Sequence, residues 1–96
     1  MASKSSIRTD PEWLEELGRR LRVLRRSQRR TIVDVAREAG LDRETVSRAE
    51  RGDNPTLLTL LRLLRVYGRL NALEDFIPEP LASPLEALER RGGGRG

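Results

Sequence analysis

At 96 residues with a formal charge of +4 and a pI near 10.9, the chain has room for one domain with short tails and a small core, and its charge predicts an anionic partner. It has no Cys, which excludes disulfide and thiolate chemistry, and no His, which removes the commonest metal ligand and the commonest general base near neutral pH. No apolar run is long enough to span a bilayer.

Residues 1–9 are small and polar, lack the apolar stretch of a secretion signal and are expected to form a flexible N-terminal segment. Asp10-Pro11 reads as a helix start, with Asp10 as cap and Pro11 where its missing N–H costs nothing. Leu14, Leu17, Leu21 and Leu24 then recur at helical spacing, so a first helix over 10–27 is predicted with these four on one face. Its arginines are more simply a solvated face than a phosphate clamp.

Thr31 caps a second helix to residue 39, with Asp34 three positions on and Val35, Ala36 and Ala39 facing inward. Gly40 suits the left-handed position after a helix, and Leu41 is expected in the core. Asp42 caps a third helix over 43–51, ended by Gly52. Asp53-Asn54-Pro55 is a loop. Thr56 caps a leucine-rich fourth helix, stopped at Gly68, whose polar positions are Thr59, Arg62 and Arg65. Its leucines exceed a single stripe and need a second partner: a helical turn over 71–76 or another subunit. Pro78, Pro80 and Pro84 mark a C-terminal extension over 78–96, with a short helix over 83–90 and a flexible basic tail.

Two helices joined at Gly40, the second rich in polar side chains, have the size and order of a helix-turn-helix. The pieces Gly18, Leu21-Arg22, Leu24-Arg25, Val35-Ala36, Gly40-Leu41, Thr45-Val46-Ser47, Glu50-Arg51-Gly52 and Asn54-Pro55-Thr56-Leu57 with Leu60 keep a combined spacing that leaves few other readings. Over residues 17–68 the sequence resembles the Cro/lambda-repressor type of helix-turn-helix DNA-binding domain. It departs at Ile32, where that family usually has Gln, and at Arg30, where an apolar residue is usual. Residues 31–40 also resemble the second helix of lactose-repressor-type proteins, which lack the long first helix and leucine-rich fourth helix seen here.

The resemblance implies an all-α, compact bundle of five short helices, lambda-repressor-like, spanning 10–77, that binds a palindromic double-stranded operator as a homodimer. It implies base contacts from Arg43, Glu44, Thr45, Ser47 and Arg48 on the third helix, and a structural ion pair between Arg25 and Glu50. Arg43 and Arg48 are expected to share that helix's exposed face, each able to offer guanine two parallel hydrogen bonds. Phosphate contacts are expected from Arg29, Arg30, Thr31 and Arg37 around the second helix, and from Arg51 and Asn54 after the third. Leu58, Leu63, Leu70, Phe76 and Ile77 are the candidate dimer interface.

Trp13, Tyr67 and Phe76 are too few and scattered to stack single strands, and read as core or dimer residues. Glu15 with Glu16 and Glu86 with Glu89 are surface charges. No catalytic residue, metal site or cofactor is expected, and no enzymatic activity. The expected protein is a cytoplasmic transcriptional repressor. Two alternatives are an antitoxin that holds a protein partner through its C-terminal extension while regulating its own promoter, and an architectural protein indifferent to sequence.

Overall fold

The first helix begins one residue earlier than the Asp10-Pro11 pair suggests as its cap, because Thr9 has a better partner. Thr9 Oγ1 accepts from the Glu12 N–H at 3.3 Å and Glu12 Oε1 accepts from the Thr9 N–H at 2.8 Å, a reciprocal capping box that Asp10 has no residue to complete. Arg8 lies over the Trp13 ring, 4.8 Å from its centroid. Residues 8 and 9 are thus tied to the helix and are not a loose tail.

The computed structural model describes residues 7–81, which form five α-helices and no strand: α1 (Asp10–Ser27), α2 (Ile32–Ala39), α3 (Arg43–Glu50), α4 (Leu57–Val66) and α5 (Ala72–Phe76). The expected helix over 83–90 and the basic tail lie outside the described residues. Thr31, Asp42 and Thr56 each accept a hydrogen bond from the backbone N–H three residues on, so α2, α3 and α4 start where the sequence places their caps. Gly40 takes φ +71, where a side chain would be strained, and turns the chain from α2 into α3.

α1 buries Gly18, Leu21 and Arg25, while Leu17, expected on the buried face, is 44% exposed. The cause is a backbone-to-backbone contact. A Cβ on Gly18 would lie 2.6 Å from Glu50 O and 2.7 Å from Ala49 O, and one on Gly52 would lie 2.6 Å from Leu14 O. The two glycines let α1 sit directly on the end of α3, and that line of contact turns Leu17 outward.

The core gathers Leu21, Val35, Ala36, Val46, Ala49, Leu63 and Tyr67 from four helices. Leu63 is fully buried and belongs to this core; it is not available to a dimer interface. Thr59, Leu63, Val66 and Tyr67 form the inward stripe of α4, and Thr59, expected on a polar face, is buried with its hydroxyl oxygen accepting from the Thr56 hydroxyl at 3.1 Å. Arg62 reaches across to donate to Gly40 O at 3.1 Å. The end of α4 is capped from the α1–α2 connection, where Gln28 Nε2 donates to Tyr67 O and Arg30 Nη1 to Val66 O. Leu57, Leu58, Leu61, Phe76 and Ile77 remain exposed, and α5 buries none of its residues.

Candidate nucleic-acid interface

α3 is two-sided. Val46, Ala49 and Glu50 are buried. At 3.6 residues per turn, Arg43, Ser47, Arg51, Glu44 and Arg48 follow one another, in that order, across an outward arc of about 140°. All but the half-buried Ser47 are exposed. Arg43 and Arg48 are therefore the two edges of one face. Thr45 lies outside the arc and is half-buried; its hydroxyl and N–H both bond to the Asp42 carboxylate and hold that carboxyl below its ordinary pKa.

The rod is pinned from behind. Arg25 Nε and Nη2 donate to the two oxygens of Glu50 at 2.7 and 3.1 Å, and Nη1 donates to Arg30 O at 2.9 Å. Both side chains of the pair are buried, and the Glu50 hydrogen bonds raise the pKa of the Arg25 guanidinium. One ion pair thus joins α1, the end of α3 and the start of the α2 segment.

The arc carries its own internal bonds. Arg51, expected near the loop as a phosphate ligand, folds back along α3, donating from Nη1 to Ser47 Oγ at 2.7 Å and from Nη2 to Glu44 Oε2 at 3.0 Å. Glu44 is therefore occupied by a cation of its own helix. Arg48 Nε donates to Asp53 Oδ2 at 2.9 Å. Arg43 carries no ion pair among the described residues. Asp53 was not among the residues expected at the site. Its only sequence signal is its position one past the glycine that ends the helix.

Thr31, with Ile32 and Val33, lines a groove of about 390 Å³ together with Arg43, Glu44 and Ser47. The start of α2 and the start of α3 thus share one surface, and the Thr31 side chain stands where Ile32 offers no hydrogen bond. Arg29, Arg37 and Asn54 are exposed but stand apart from that groove; Arg29 and Asn54 have φ +56 and +44, and Arg37 has only a loose 3.6 Å pair with Asp34. Arg30 does not join the surface at all. Its guanidinium turns inward to Val66 O and pairs with Glu38. An arginine in the usually apolar position is accommodated because the carbonyl end of α4 offers it an acceptor.

Among the described residues, no cluster of acidic, His or Cys side chains is arranged to hold a metal, and no helix is long and apolar enough to cross a membrane.

Compared with known families, the chain matches a family model described as a helix-turn-helix domain over residues 16–76, which takes in α2 to α5 and most of α1. No curated protein and no solved structure matches it.

Proposed function

Since the chain belongs to this helix-turn-helix domain family, of the Cro/lambda-repressor type, and such a domain implies DNA binding, we propose that it is a sequence-specific transcriptional repressor that occupies a palindromic operator as a homodimer. The observation that carries the reading is the two-sidedness of α3: one face sunk in the core and clamped by Arg25, the other a polar arc left open to a groove. Arg43, Ser47 and Arg48, with Glu44, meet base edges; Thr45, half-buried and bonded to Asp42, is left out of that set. Each arginine that reaches a guanine is worth about 1–3 kcal/mol of discrimination. Thr31, Arg29, Arg37 and Asn54 meet phosphates, while Arg30, committed to α4, and Arg51, committed to Ser47 and Glu44, are left out of that set.

Leu58, Phe76 and Ile77, with the half-buried Leu70 and the exposed Leu57 and Leu61, supply the dimer surface; large apolar side chains left exposed on α4 and at the end of α5 support this reading. Domains of this family are typical of regulators that catalyse nothing, and no reaction is assigned.

Selection of bound duplexes from a random pool tests the reading. A palindromic motif with half-sites about one helical turn apart is expected. Binding should weaken with salt, each phosphate contact adding about 0.9 to the slope of log affinity against log salt. Recovery of unbiased sequence with the same salt slope would make the protein architectural instead.

A further inference from the structure

Asp53 is tied to Arg48 twice. Its N–H donates to Arg48 O at 2.9 Å and its carboxylate accepts from Arg48 Nε at 2.9 Å. The loop geometry behind it is rigid: Gly52 sits at φ +76 against the α1 backbone, where a Cβ would meet Leu14 O at 2.6 Å. The carboxylate is thereby fixed relative to the whole bundle. Both partners are more than half exposed, and an ion pair so placed adds little to stability. A carboxylate beside a DNA-facing arc also repels phosphate, so holding the fold does not account for it, and affinity is not served by it.

The bond pattern gives it another use. Asp53 takes only Nε, which leaves both Nη groups of Arg48 without a hydrogen-bond partner among the described residues, the end that offers two parallel hydrogen bonds to guanine O6 and N7. The other arginines of the arc differ. Arg51 spends Nη1 and Nη2 on Ser47 and Glu44, and among the described residues Arg43 has no carboxylate to steady it. Arg48 is the one that is both held and free at its tip.

We infer that Asp53 is a positioning residue for base reading: it fixes the direction of the Arg48 guanidinium, so that Arg48 is a guanine-specific reader and Asp53 exchanges affinity for specificity. The inference rests on the DNA-reading function above and adds to it the residue that sharpens it.

Random-pool selection with the full chain, Asp53→Ala, Asp53→Asn and Arg48→Ala separates the outcomes. The unaltered protein should recover a guanine at one position per half-site that Arg48→Ala loses. Asp53→Ala should lower the enrichment at that same position by roughly tenfold and leave the other positions intact. It should also raise affinity for a random duplex by roughly two- to fivefold, because a negative charge near phosphate is gone. Asp53→Asn, which keeps an acceptor, should show the same gain on random DNA with a smaller loss at the guanine. Melting temperatures should not move. The inference is overturned if Asp53→Ala keeps the full guanine preference, if it and Arg48→Ala alter different positions, or if it erodes every position together with stability. In those cases the repressor reading stands. If the unaltered chain recovers no motif, that reading fails and this one with it.

Discussion

Arg25 and Glu50 show how one buried pair sets the site. Neither side chain touches the outward arc, yet they fix the depth at which α3 sits. Glu50→Ala leaves a guanidinium buried with only a carbonyl for company, and should lower stability by about 3–5 kcal/mol in denaturant unfolding. Replacing both by apolar residues of similar volume should recover much of that loss; if the double variant is no better than the single, the pair is not what matters. Tyr67, the only tyrosine, lies beside this pair with its hydroxyl buried and unpartnered among the described residues. Burial first, and the Glu50 charge second, push its phenol up to about 12. The raised value means that folding favours the neutral phenol. This contribution is whole below the unfolded value of about 10 and disappears as pH rises through the folded one. Absorbance titration of the single tyrosine should give a midpoint near 12 in the folded protein and the ordinary value in denaturant. An ordinary midpoint without denaturant would contradict the burial.

Among the elements, α1 and α3 are coupled by a close backbone approach at glycine as well as by the Arg25–Glu50 pair. Gly18→Ala would place a methyl 2.6 Å from a backbone oxygen that no rotamer change can move. Such overpacking should cost about 1–3 kcal/mol in thermal unfolding, and weaken DNA binding further by tilting α3. Leu17→Ala, one position away on a face that turns outward, should stay within about 0.5 kcal/mol of the unaltered protein. Equal losses in the two variants would show that the close approach is not the coupling. The turns between elements are local affairs by comparison, since Thr31, Asp42 and Thr56 each close their own helix start within three residues.

At the scale of the whole molecule, the proposed dimer places two copies of α3 a fixed distance apart, so subunit contact and operator binding stand together. Leu58→Lys or Ile77→Lys should convert the protein to a monomer in sedimentation at micromolar concentration, leave its melting nearly unchanged because both residues are exposed, and reduce operator affinity at least tenfold. Leu63→Lys should instead prevent folding, because that side chain has no exposure. A lysine at Leu58 and Ile77 that left the sedimentation coefficient unchanged would move the interface elsewhere.

The starts of α2, α3 and α4, the turn at Gly40, the inward residues Val35, Ala36 and Ala39, and the polar character of α3 were legible in the amino-acid order, because capping and amphipathic spacing act over three or four residues and are written there. Whatever depended on distant backbone meeting distant backbone was not. The same sequence pattern offered Leu17 to the core and Leu63 to a partner, and the packing of Gly18 on Gly52 and of α4 across the bundle assigned each the opposite place. Arginines were still less legible, since a long cation takes whichever acceptor the fold brings within reach: Arg30 found the end of α4, Arg51 found Glu44, and Arg48 found Asp53. Local order determined which segments are helices and which helix is polar enough to read DNA. Tertiary contact alone decided that Leu17 turns outward, that Leu63 is core and that Arg30 serves the end of α4, because those directions are set by neighbours that the chain meets only after folding.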